Sequence, residues 1–246
     1  MREEAKGRVL YLSYFGIIIF MNIKDKVVVI TGGSSGFGKS LAEAFLKEEA
    51  IIIINSNNKK ELKKFSKEIG IFGVCGDVTK EKDLINLARK TITKFGRIDI
   101  WINNAGLWIP HDLVENFDME RVGKMFNVNV FGVINGSRVA LRYMKEINSG
   151  VILSIISDSA LAERPMASTY CASKWAVNGF TKSIREENKN KNISIFSIYP
   201  GAMKTELFGN IKPENYDEML DPKYVAEKVI ENLKRDLPEE DLIIVE

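Results

Sequence analysis

Residues 31–38 read Thr-Gly-Gly-Ser-Ser-Gly-Phe-Gly, directly after the β-branched run Val27–Ile30 and directly before a helix-forming stretch, Lys39–Glu48. Glycines at 32, 33, 36 and 38 allow a tight turn and a close approach of backbone to a ligand. A helix that starts here offers free N–H groups and a partial positive charge, both suited to a pyrophosphate. Ser34 and Ser35 add hydroxyl donors. Glycine-rich spacing alone is a weak signal, since a plain strand-to-helix turn reads the same way, and this spacing is not the usual G-x-G-x-x-G. Its place on the first strand of a long alternating pattern is what points to a ligand.

From Lys26 onward, short apolar runs alternate with amphipathic stretches. The predicted strands are Val27–Ile30, Ile51–Asn55, Ile71–Cys75, Ile98–Ile102, Val151–Ile156, Ile193–Ser197 and Leu242–Val245. Helices are predicted at Lys39–Glu48, Lys59–Glu68, Lys80–Thr93, Met119–Lys145, Ser173–Lys189 and Lys223–Arg235. The pattern predicts an α/β fold: a single-domain, doubly wound, Rossmann-type parallel sheet of seven strands with helices on both faces. The domain is placed at residues 21–246. Residues 1–20 read as an apolar N-terminal extension without a catalytic role. Val9–Met21 is a run of 13 nearly all apolar residues, short of the roughly 20 that span a bilayer. Glu3 and Glu4 stand where a signal peptide is basic, and no A-x-A cleavage site follows.

Composition narrows the function classes. With 45% hydrophobic and 28% charged residues and a formal net charge of +2, the chain carries no field that calls for nucleic acid. The two cysteines, Cys75 and Cys171, form no disulfide framework and no metal-ligand spacing, which fits a reducing cytoplasm. His111 is the only histidine, so a Ser-His-Asp hydrolase or a histidine-rich metal site has almost nothing to be built from.

The loop resembles the T-G-x-x-x-G-x-G signature of the short-chain dehydrogenase/reductase family, and the likeness runs from about Ile23 to Phe208 as an ordered set. Asn103–Gly106 (N-N-A-G) closes the fourth strand, Asp77-Val78 follows the third, and Asn129 lies in N-V-F-G. Ser157, Tyr170 and Lys174 match the remaining active-site positions, and Pro200-Gly201 with Thr205 matches P-G-x-x-x-T. The resemblance implies a catalytic set of Asn129, Ser157, Tyr170 and Lys174. It implies cofactor contacts from Gly32, Ser34, Ser35, Gly36, Phe37 and Gly38; from Asp77 and Val78 at the adenine; and from Asn104, Ala105 and Gly106. Tyr170, Lys174, Pro200, Gly201 and Thr205 would sit by the nicotinamide half. Lys174 would bind the nicotinamide ribose, and Asn129 would hold a water that relays protons from Lys174.

Order matters, because two of the seven tyrosines are followed four places later by lysine. Tyr224 and Lys228 lie on an amphipathic segment after Pro222, where they read as core edge and solvated face. Tyr170 follows Ser157 by 13 residues and opens the helix that leads into the sixth strand. Alcohol oxidation moves a hydride to the cofactor and a proton to a base. A free phenol, with a pKa of about 10, is poorly placed for that task, and an ammonium one helical turn away is expected to favour the phenolate. Ser157 is expected to donate a hydrogen bond to the substrate oxygen.

After the second strand, Ser56 takes the position of the usual NAD-selecting acid and Asn57 follows it, with Lys59 and Lys60 nearby. Nothing there repels a 2′-phosphate, so NADP(H) is expected over NAD(H). Trp108, Ile109, Pro110, Leu161, Met203, Leu207 and Phe208 are the expected pocket walls, suited to a largely apolar carbonyl compound or secondary alcohol. Glu163 and Arg164 are the alternative, a polar rim. Glu206–Leu220 reads as a lid. Val130, Phe131, Ile134 and Leu141, with Trp175, Val177 and Phe180, permit a homodimer through two helices. Two other function classes fit less well. A catalytically silent dinucleotide-binding regulator has no evident need for Ser157 and Tyr170. A nucleotide-sugar epimerase would want a larger segment than the roughly 45 residues after Pro200.

Overall fold

A computed structural model describes residues 21–209, 211–213 and 215–245; the N-terminal extension, residues 1–20, lies outside the described residues. Seven strands, β1 (Val27–Thr31), β2 (Ile51–Ser56), β3 (Phe72–Cys75), β4 (Ile100–Asn103), β5 (Gly150–Ile155), β6 (Ile193–Pro200) and β7 (Asp241–Ile244), form one sheet in the order β3-β2-β1-β4-β5-β6-β7. Every neighbouring pair is parallel, with Val28 facing Ile52 on one side and Ile100 on the other. The helices are α1 (Gly36–Lys47), α2 (Lys59–Glu68), α3 (Glu81–Phe95), α4 (Met119–Phe126), α5 (Gly132–Ile147), α6 (Ser168–Asn188) and α7 (Pro222–Leu233).

The period-2 alternation of the central strands divides the core in two. Val28, Ile30, Ile54 and Ile102 point to one face, where Leu41 and Phe45 of α1, Phe65 of α2 and Val229 of α7 cover them. Val27, Val29, Ile53 and Trp101 point to the other, under Leu87 of α3, Met144 of α5 and Ile184 of α6. With both faces buried, the strands read as unbroken apolar runs. Helix starts follow local chemistry. The Asn58 side chain accepts from the Glu61 N–H, and Asp118 and Asp221 cap α4 and α7 in the same way.

Of the six expected helices only Lys59–Glu68 keeps its predicted bounds, and two of the differences move site residues. The stretch Met119–Lys145 is broken: between α4 and α5 lies a π-helical turn, Asn127–Phe131, which carries Asn129. The helix predicted to begin at Ser173 begins at Ser168, so Tyr170 and Lys174 share its first two turns. β1 and β4 are neighbours, while the chain leaves them toward opposite edges. Their carboxyl ends therefore flank the switch-point crevice in which this architecture binds ligands.

Candidate active site

The crevice is a cleft of about 640 Å³, within the range that holds a small ligand or cofactor. Its floor is the loop from β1 to α1. Gly32 has φ +63°, and a Cβ there would lie 2.9 Å from the Ala105 Cα. A Cβ on Gly38 would lie 2.2 Å from the Gly32 carbonyl oxygen and 2.5 Å from Asn104 Nδ2. Side chains at these two positions would close the cradle against the β4 loop. Gly38→Ala is therefore expected to cost about 1–3 kcal/mol, read as a lower Tm, and to abolish dinucleotide binding in a fluorescence titration.

Thr31 and Asn104 fasten the two loops together. The Thr31 hydroxyl donates to the Ile102 carbonyl (3.2 Å) and accepts from the Asn104 N–H (3.0 Å) and the Ala105 N–H (3.2 Å). Asn104 Nδ2 donates back to the carbonyls of Thr31 (2.9 Å) and Gly32 (3.2 Å). Although Asn104 lines the cleft, its amide is committed to holding the wall in place.

At the end of the cleft nearest β2 and β3 the lining comprises Ser56, Asn57, Asn58, Glu61, Asp77 and Val78; neither Lys59 nor Lys60 is part of it. The Asp77 carboxylate accepts from the N–H (3.0 Å) and the hydroxyl (2.8 Å) of Thr79. Burial pushes its pKa up, but those bonds and Lys80 outweigh it and hold the carboxyl below the usual range.

The opposite end holds three of the four expected catalytic residues, Ser157 at the end of β5 and Tyr170 and Lys174 on α6. Lys174 Nζ lies 5.6 Å from the Tyr170 ring centroid and 3.4 Å from the Ile155 carbonyl oxygen. Burial lowers the Lys174 amine to about 8. It pushes the Tyr170 phenol well above its usual range, against a smaller opposing pull from the Ser157 hydroxyl. The expected lowering of the phenol by a neighbouring ammonium is thus not what this environment does: burial raises it, Asp158 and Cys171 add to the rise, and the pull against it comes from the Ser157 hydroxyl rather than from Lys174.

Asn129 sits on the π-helical turn between α4 and α5. It is 1% exposed and lies behind the cleft rather than in its lining. Its carboxamide oxygen accepts from the Leu107 N–H at 2.7 Å, and its amide donates to the Leu107 carbonyl (2.9 Å) and to the Ser173 hydroxyl (3.3 Å). In this arrangement Asn129 clamps the loop that follows β4 to the helix carrying Tyr170.

The sequence does not single out two carboxylates that the fold brings into the cleft. Asp158 Oδ1 accepts the proton of the Ser157 hydroxyl at 3.0 Å, and Oδ2 is paired with Arg164. Ser157 also accepts from the Ser159 N–H at 3.1 Å, so it is oriented by its neighbours and its single proton is directed to Asp158. Glu206 Oε2 reaches the Gly36 N–H. Adjacency to Ser157 and to Thr205 is the only sign of either in the sequence.

The outer wall is aromatic. Trp108 packs edge-on to Phe208 with centroids 5.1 Å apart, Phe208 meets Tyr216 at 6.2 Å, and His111 lies 5.5 Å from Trp108. Burial and the nearby Arg164 lower the His111 pKa. Met203, Leu207 and Arg164 also line the cleft, whereas Ile109, Pro110, Leu161 and Glu163 do not. The Glu206–Leu220 segment is tied at its base, where Leu220 donates to the Ala202 carbonyl and Lys204 donates to that of Leu220, both at 3.0 Å. Pro200, Gly201 and Thr205 lie on the same side. Among the described residues, no group of three or more His, Cys, Asp or Glu is placed to hold a metal, and no helix is long and apolar enough to cross a membrane.

A family model described as short chain dehydrogenase matches residues 26–216. An oxidoreductase of Staphylococcus saprophyticus is 34% identical over 208 residues, 82% of this chain and 84% of that protein. A diacetyl reductase [(S)-acetoin forming] of Staphylococcus epidermidis is 32% identical over 77% of this chain and 76% of its own. Among solved structures, a 3-ketoacyl-(acyl-carrier-protein) reductase from Brucella melitensis complexed with NADH superposes with a TM-score of 0.84. It is 27% identical, covering 91% of this chain and 97% of that one.

Proposed function

We propose, from the premise that this chain belongs to the short-chain dehydrogenase family, that it reduces a small, largely apolar carbonyl compound to its secondary alcohol with Tyr170 as proton donor. The chain is an oxidoreductase of the NAD(P)-dependent type. The finer reading is supported above all by one observation: Ser157, Tyr170 and Lys174 converge at one end of the cleft whose floor is the glycine cradle.

The cradle fits a dinucleotide. Three of its glycines, at 32, 33 and 38, leave no space for a side chain, a helix begins within it, and the donors are hydroxyls and backbone N–H groups suited to a diphosphate. Gly32, Ser34, Ser35, Gly36, Phe37 and Gly38 would hold that diphosphate, and Asp77 and Val78 would border the adenine. Ala105, Gly106, Pro200, Gly201 and Thr205 would border the nicotinamide half. The bound nicotinamide supplies the hydride.

The residues supply the proton. A phenol held above its usual pKa stays protonated at neutral pH and can give its proton to the more basic oxygen that carbonyl reduction creates. Lys174, which titrates near 8, can return a proton to Tyr170 at neutral pH. Ser157, oriented by Asp158 and Ser159, fixes the phenol's position. Asn129 holds the Leu107 loop and α6 in register.

Substrate class rests on the wall: Trp108, Phe208, Met203 and Leu207 are apolar, with Arg164 and His111 at the rim. The names of two relatives, a diacetyl reductase and a 3-ketoacyl-(acyl-carrier-protein) reductase, support carbonyl reduction. For the cofactor we keep NADP(H) ahead of NAD(H), because Ser56 and Asn57 put no carboxylate where a 2′-phosphate would sit; Glu61 in the lining opposes that choice. Phe131 and Trp175 are 55% and 51% exposed, which supports a homodimer through this surface. The test is to titrate both reduced cofactors and then follow nicotinamide absorbance with a panel of ketones, diketones and aldehydes. Turnover with apolar ketones is expected. Tight binding without turnover across the panel would point to a silent regulator.

A further inference from the structure

Glu206 stands in the glycine cradle. Its Oε2 accepts a hydrogen bond from the Gly36 N–H at 3.0 Å, across 170 residues of sequence. Gly36 is the first residue of α1, so this N–H is among those a helix leaves without a partner of its own. α1 has no acidic residue in its first turn, and Ser35 makes no side-chain capping bond. Glu206 therefore supplies the anion that this helix start attracts. Among the described residues no lysine, arginine or histidine is paired with it, and it is exposed. The contact thus has little to hold it besides the helix start.

The same short turn, Glu206–Phe208, carries the ring that packs on Trp108 at 5.1 Å. One turn of chain thereby joins the diphosphate end of the cleft to its substrate wall. Resting on the reading of the cleft as a dinucleotide site, we propose that Glu206 is an internal competitor for the cofactor's diphosphate. Two anions cannot share the Gly36 N–H, so an arriving diphosphate expels the carboxylate. The expulsion moves Phe208 relative to Trp108, and cofactor arrival is thus coupled to the shape of the substrate wall.

Glu206→Gln keeps the size and an acceptor oxygen but removes the charge. Calorimetric titration of the variant with ADP-ribose or its 2′-phosphorylated form is expected to show about tenfold tighter binding than wild type, with adenosine, which lacks the diphosphate, unchanged. In wild type, either diphosphate ligand should speed amide exchange at residues 205–209, and adenosine should not. Glu206→Ala should rank the ligands as Glu206→Gln does. Equal diphosphate affinity in wild type and both variants would overturn the proposal and leave the dinucleotide reading intact. An equal gain for adenosine would also overturn it, by pointing to a general loosening of the wall. If neither wild type nor variants bind any of these ligands or a reduced nicotinamide cofactor, the dinucleotide reading falls and the proposal falls with it.

Discussion

Replacing Tyr170 by phenylalanine is expected to lower carbonyl turnover by about 10²–10⁴-fold, the span that a positioned proton donor contributes, while reduced cofactor binds with about wild-type affinity. The substitution removes one oxygen and keeps the ring near Lys174 Nζ. The local backbone bond, Ser173 Oγ donating to the Tyr170 carbonyl at 2.7 Å, does not involve the phenol. Fold and cradle should therefore survive, and a loss confined to kcat would separate proton transfer from binding. A variant that retains turnover within about tenfold of wild type would remove Tyr170 from the mechanism.

Lys174→Met is expected to do two opposed things: abolish turnover and stabilise the protein at neutral pH. Lys174 is 8% exposed, and among the described residues no acid is paired with its amine. Its pKa is lowered by burial from 10.5 to about 8. At about 1.4 kcal/mol per pH unit, the charged amine costs the folded state roughly 3 kcal/mol at pH 7. The sign follows from linkage. Between pH 8 and 10.5 the unfolded chain holds a proton that the native amine has lost, so wild-type stability recovers as pH rises through that window. The gain from methionine should accordingly be largest at pH 7, roughly 5–10 °C in Tm, and vanish near pH 10.5. Equal melting temperatures at pH 7 would mean that the amine is not desolvated as its surroundings indicate.

The sheet and the cleft floor were legible in the sequence because both rest on local patterns. Val27–Ile30 is apolar on both faces and runs straight into glycines, and such a run has few other places to go than the middle of a parallel sheet. The broken helix was not legible. Asn127–Phe131 continues the apolar spacing of its flanks, and a π turn adds its residue without a glycine or proline inside it. The turn aims the Asn129 side chain at Leu107 and Ser173, partners that local spacing does not reveal. The direction of the Tyr170 shift is not legible for a different reason: one-turn spacing reveals proximity, but desolvation depends on what the rest of the cleft brings from far along the chain. Asp158 and Glu206 escaped for the same cause. A charged residue in a loop reads as solvated until the fold shows which N–H or hydroxyl it meets.

The stitching of Thr31 to Ile102, Asn104 and Ala105 has a consequence for traffic. Because the rear of the crevice is sutured by hydrogen bonds from both sides, the halves of the sheet cannot part to admit or discharge a molecule. The cleft is then fixed at its rear, and a molecule that enters or leaves would pass its front, beside the backbone bonds that tie Ala202 and Lys204 to Leu220.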